Sequence, residues 1–221
     1  MTNDWYRQAE WTPDAALEFE RRLARSRGQR KEYLRIQALT LADSSSPEDA
    51  RAAITLARRQ LDGAETGIHA AQMHATMAKA AATLGDNNGA IEAYRCAVDL
   101  EAKRPNVRGY HYIDYAWFAS VRGLSFLFDE VLTAIERNWE KQDLMFPFNR
   151  YRYFGSLALI AASQGDETAA QQMARQAMAS VAKEKGPLPG FPLAGRVGRG
   201  RDEVRERLER LAGQEVGRGE P

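Results

Sequence analysis

The sequence predicts an all-α chain, an α-solenoid of about four stacked helical hairpins with a capping segment at each end. Three observations lead there. Residues 71–105 carry one apolar face with His74, Met77, Ala78 and Ala81, a Gly85-Asp86 break, and a second face with Ala90, Ile91, Tyr94, Ala97 and Leu100. Two amphipathic helices joined so tightly cannot bury their own apolar faces and must stack on neighbours. Small residues recur in register as Ala38, Ala78, Ala116 and Ala158, and again as Ala50, Ala90, Val131 and Ala170, both near a period of 40. Gly85-Asp86 and Gly165-Asp166 fall at the same point of their units, where glycine suits a left-handed C-cap and the next polar residue caps the following helix.

Residues 1–30 form the N-terminal capping segment. Thr12-Pro13-Asp14 starts a helix over 12–27, because a hydroxyl cap, a proline in the first turn and an early acid favour that end. Leu17, Phe19 and Leu23 supply its apolar contacts, and a basic cluster from Arg21 to Lys31 closes it. Basic residues suit a helix C-terminus, so a solvated end outweighs an anionic contact patch.

The repeat domain spans 31–185. Residues 31–42 place Leu34, Ala38 and Leu41 on one side, and Ser46-Pro47 starts a partner carrying Ala50, Ile54 and Ala57. The third unit starts near Tyr110 and continues through Val131, Ile135 and Trp139; the fourth starts near Arg150. Between Gly123 and Val131 the third unit carries extra apolar length, Leu124 to Phe128, either tucked into the core or offered as a patch through Phe126 to a partner or a second copy. Residues 186–221 close the chain. Five glycines and three prolines in 186–200 forbid a continuing helix. Residues 201–213 form a short helix with Val204, Leu208 and Leu211 on a narrow stripe that caps the solenoid end.

The pattern resembles a tetratricopeptide repeat, which pairs a small-x3-large-x2-small motif on its second helix with a large and a small residue on its first. Ala90, Tyr94 and Ala97 fit that motif, as do Ala50, Ile54 and Ala57; Ala170, Ala174 and Ala177 fit with an alanine at the large position, and Val131, Ile135 and Asn138 depart further. The likeness covers residues 31–185, with a period longer than the usual ~34. Asp4-Trp5-Tyr6-Arg7 with Trp11, and the stretches 33–38 and 144–152, are similar to a group of bacterial TPR-like proteins. That likeness implies no activity.

Composition narrows the function classes. Of 221 residues, 31 are Lys or Arg and 30 Asp or Glu, so no global field selects nucleic acid or a membrane. A single cysteine, Cys96, forbids an intramolecular disulfide and suits a reducing, cytoplasmic setting. The start does not read as a signal peptide, and no apolar stretch approaches the ~20 residues of a membrane span. Cys96 reads as a small packing residue and His74 as a partly buried structural histidine. His69 and His74 do not share a helical face, and His111 with Asp114 gives only two ligands, so no metal or other cofactor is expected. No nucleophile elbow or phosphate loop occurs. The sequence offers no catalytic constellation, and the protein is expected not to be an enzyme.

The first helices of such hairpins line a binding face. In this register they present Arg35 and Leu39, then Gln72, Ala75 and Lys79, then Tyr110, Ile113 and Trp117, then Arg150, Arg152 and Leu159. Arginine and large rings are the composition of a binding hot spot. The competing reading puts Tyr112, Tyr115, Trp117 and Phe118 all in the core; the run has more large rings than one buried face can use, so Tyr110 and Trp117 are expected to face outward. The expected activity is protein or peptide binding through Arg35, Gln72, Lys79, Tyr110, Trp117, Arg150 and Arg152, with Phe126 as a separate partner or homo-oligomer patch. Two other classes stay open: an inhibitor or immunity-type protein for a neighbouring gene product, and a nucleic-acid-binding helical repeat. Against the last, the reading positions differ in kind between units.

Overall fold

The computed structural model describes residues 4–62, 67–104, 106–107, 109–139, 146–181, 195, 197 and 202–213. The glycine- and proline-rich stretch 186–200 lies outside them except for residues 195 and 197. Among the described residues the chain is all-helical, with ten α-helices and one 3-10 turn and no strand. It divides into two compact units, Met1–His111 and Tyr112–Pro221.

The first unit holds α1 (Pro13–Arg25), α2 (Arg30–Ala42), α3 (Pro47–Leu61), α4 (Ala70–Thr83) and α5 (Asn87–Ala102). Their starts follow from the sequence. Thr12 and Ser46 accept the N–H of Ala15 and Asp49 through their hydroxyls, each ahead of a proline that has no N–H to orphan. Asp86 does the same for Gly89 at 2.9 Å. α2–α3 and α4–α5 are hairpins, and α4 packs chiefly on α3 and less on α2. Phe19, Leu23, Leu34, Ala38, Leu41, Ala53, Leu56, Ala57 and Met73 form the core, all 3% exposed or less.

Two expectations shift here. Leu17 is 72% exposed rather than packed. On α4 the buried residues are Ala70, Met73, Thr76, Ala78, Ala80 and Ala81, while His74 and Met77 are only partly covered. An alanine-rich helix touched by α2, α3 and α5 has no single apolar stripe from which to read its orientation.

The second unit holds α6 (His111–Val121, its first residue ending the first unit), a 3-10 turn (Ser125–Leu127), α7 (Phe128–Trp139), α8 (Pro147–Ser163), α9 (Glu167–Val181) and α10 (Glu203–Leu211). Asp166 and Asp202 cap α9 and α10 by accepting the N–H of Ala169 and Arg205. Gly123 and Gly165 adopt φ of 65° and 81°, as Gly85 does at 76° in the first unit. In each case the next residue donates its N–H five positions back: Asp86 to Ala81, Leu124 to Ala119, Asp166 to Ala161. This is the Schellman closure that only glycine makes without strain. The extra apolar length after Gly123 resolves both ways: Leu127 and Phe128 are buried, while Phe126 is 73% exposed.

α10 docks chiefly on α9 and less on α8, the relation that α4 has to α3 and α2. Leu208 is fully buried, with Ala212 beside it, among Tyr151, Ala158, Leu159, Ala174, Ala177 and Met178. Val204, Leu211 and Val197 flank them. Val204, Leu208 and Leu211 thus lie against the α8–α9 hairpin.

Candidate protein-binding faces

In the first unit the predicted residues gather on the neighbouring first helices α2 and α4. Arg35 donates from Nη1 to Gln72 Oε1 at 2.8 Å and from Nε to Glu32 at 2.9 Å. The hydrogen-bonded guanidinium holds the Glu32 carboxyl below its ordinary range, and Glu32 in turn raises Arg35. One side of the face further on, Lys79 pairs with Asp43. Helical spacing places Leu39 and Ala75 between the two bridges, both partly exposed. The result is a short apolar strip between two polar clasps.

The second unit repeats the device. Arg152 of α8 donates to Asp114 of α6. Its guanidinium carbon lies 4.2 Å from the Phe148 ring centre and 5.8 Å from that of Trp117, a cation held by aromatic faces as well as by a carboxylate. Trp117 packs at 5.4 Å against Tyr151 with the rings tilted 51°. It reaches α8 because residue 155 is glycine: a Cβ there would stand 2.8 Å from Trp117 Cζ3 and 3.1 Å from Leu208 Cδ1. Trp117 is therefore half-buried as a wedge between α6 and α8 rather than turned fully outward. Arg150 lies over Phe154 at 5.7 Å, and its Nε is buried with no hydrogen-bond partner.

Across both units, the clasps join first helices at separations of 37 (Arg35–Gln72), 36 (Asp43–Lys79) and 38 (Asp114–Arg152) residues. The sequence reading placed both Arg35 and Gln72 on this face but only the base of the other two clasps, missing Asp43 and Asp114 there, and Glu32 beside Arg35; an acid one repeat before Lys79 and Arg152 was the available signal. Ile113 and Leu159, offered to the same face, are each 1% exposed and belong to the core. Tyr112, Tyr115 and Phe118 are core as well.

Tyr110 is half-buried with φ 59°, a left-handed backbone. Buried Glu101 holds it there: Oε1 accepts the N–H of Gly109 at 2.6 Å and of Tyr110 at 2.7 Å, and Oε2 that of His111 at 2.8 Å. Cys96 is exposed rather than packed. Burial pulls the half-buried His74 imidazole below its usual range. Among the described residues no three His, Cys, Asp or Glu side chains gather into a metal-binding group, and no helix is long and apolar enough to cross a membrane.

Burial, reinforced at Tyr151 by the Asp202 charge, pushes the phenols of Tyr151 and Tyr153 up to about 12. In an unfolded chain they ionise near ~10. Between those values the folded state holds more protons, so stability falls as pH rises from about 10 toward 12. Tyrosine absorbance should leave these two phenols un-ionised across that window while unfolding becomes easier; constant stability there would contradict the burial.

Comparison of the chain with family models, curated proteins and solved structures finds no match.

Proposed function

We propose that the protein is a non-catalytic, cytoplasmic scaffold of TPR-like helical hairpins that binds a protein segment on its first-helix faces. The observation that carries this reading is the recurring clasp. Arg35–Gln72, Asp43–Lys79 and Asp114–Arg152 each bridge consecutive first helices, and in the first unit two of them bracket a strip of Leu39 and Ala75. Fixing side chains before a ligand arrives limits the entropy lost on binding, which is how a rigid face gains affinity. Partly satisfied Arg, Lys and Gln at the rim of an apolar strip suit a peptide that presents one apolar side chain between polar groups. The lone cysteine supports the cytoplasmic assignment.

The test is affinity capture from the source lysate with wild-type protein and an Arg35→Ala, Lys79→Ala double variant. Surface pairs of this kind contribute up to about 1 kcal/mol, so the variant should keep its helicity and melt within a few degrees of wild type. A protein retained by the wild type and lost by the variant supports the face. Equal retention by both removes it. Captured nucleic acid whose affinity drops steeply with salt would favour the rival class.

A further inference from the structure

Residues 4–11 contain no helix, yet they are held by contacts of the kind a receptor makes to a peptide. Gln37, fully buried on α2, uses both ends of its amide on one backbone residue. Its Oε1 accepts the Gln8 N–H at 2.9 Å and its Nε2 donates to the Gln8 carbonyl at 2.8 Å. Asp49, 4% exposed at the start of α3, accepts the Trp11 N–H at 2.7 Å through Oδ1, and its other oxygen is held by the Ser44 hydroxyl at 2.7 Å. Rings supply the rest. Trp5 packs on Phe19 and Tyr33 at 5.4 and 4.7 Å, Tyr6 stacks on Tyr33 at 4.8 Å, and Trp11 meets Phe19 edge-on at 5.4 Å.

The two sides of this contact differ in kind. Phe19, Leu34, Ala38, Leu41 and Leu56 form a closed core, whereas Trp5, Tyr6 and Trp11 lie partly exposed against it. The helices supply buried side-chain amide and carboxylate groups; the segment supplies backbone groups and large rings. Main-chain hydrogen bonds with anchoring pockets for spaced side chains are the general grammar of peptide recognition. A buried Gln or Asp without its partner is costly, which gives the cleft a standing preference for an occupant.

We propose that the cleft of α1, α2 and α3 is a peptide-recognition site whose ligand is the chain's own residues 4–11, bound in cis. The class it takes is a peptide with an adjacent Trp-Tyr pair and a second Trp six residues after the first, its backbone read midway by Gln37 and near its end by Asp49. This is separate from the α2–α4 face, so its failure leaves that reading standing.

The test uses the full chain with a protease recognition sequence inserted between Trp11 and Thr12, folded first and then cleaved. The released segment should co-elute with the body on size exclusion. A fluorescent synthetic peptide of residues 1–11 should then replace it saturably at one per chain, while a scrambled peptide does not bind. Gln37→Leu in the same background should weaken the peptide at least tenfold. Immediate loss of the segment with no rebinding, equal binding of the scrambled peptide, or unfolding on cleavage would overturn the proposal. If the insertion itself prevents folding, hydrogen exchange on the uncut Gln37→Leu chain decides. Loss of protection confined to residues 4–11 is expected; loss spread through α2–α5 would overturn it.

Discussion

Glu101→Ala should lower the stability of the first unit by about 3–4 kcal/mol, because hydrogen bonds to a charged acceptor contribute roughly 1.5–3 kcal/mol each and are not fully additive. Its carboxylate accepts three consecutive backbone N–H groups, from Gly109, Tyr110 and His111, and is 6% exposed. Alanine leaves those donors without their acceptor and removes what holds Tyr110 at φ 59°, a conformation that costs a non-glycine residue of order 1 kcal/mol or more. Glu101→Gln should recover part of the loss only, since its NH2 must face at least one N–H donor. Denaturant unfolding in a Trp117→Phe, Trp139→Phe background, where only Trp5 and Trp11 emit, reads the first unit. A loss under about 1 kcal/mol for the alanine variant would show that other groups close this loop.

Leu208→Asp should undock α10. Leu208 is fully buried, with its Cδ1 beside Gly155 and the Trp117 ring. Truncating such a leucine costs about 2–5 kcal/mol, and an unpaired carboxylate in its place adds a desolvation penalty. A nine-residue helix is marginal on its own, so it should melt rather than stay docked. The far-UV signal of about one short helix should disappear while α8 and α9 persist. The Tyr151 phenol, held near 12 by burial and Asp202, should return toward its ordinary ~10. Arg207→Asp on the exposed side of the same helix should change stability by less than about 0.5 kcal/mol. Equal effects of the two substitutions would contradict the docking through Leu208.

Helix starts and ends were legible in the sequence because they are local. Pro13 and Pro47 behind Thr12 and Ser46, and Gly85 and Gly165 before Asp86 and Asp166, specify caps without reference to any neighbour. Alanines repeating at 38, 78, 116 and 158 were legible for a related reason: close helix packing at a fixed period admits only small residues, and all four are fully buried.

What depends on a second helix was not legible. Ile113 and Leu159 sit on helices whose apolar residues are not confined to one side, so spacing could not say which side faced inward. The run Leu124 to Phe128 has no period, and only the 3-10 turn sends Phe126 out while Leu127 goes in. Nothing in the sequence singles out Gln37 or Asp49; their roles show only once the segment they hold is placed over them. The candidate face was found by its cations. Their acids were missed because a charge pair one repeat apart is one of many pairs that a charged sequence allows.

The central claim, that the first-helix face binds a protein segment, is tested most directly by a photocrosslinking amino acid placed at Ala75 in the producing cell. A control position at Glu92 uses the exposed side of α5. A discrete protein adduct is expected from Ala75, lost in the Arg35→Ala, Lys79→Ala background, and none from Glu92. Adducts from Glu92 alone, equal adducts from both positions, or adducts to nucleic acid would contradict it.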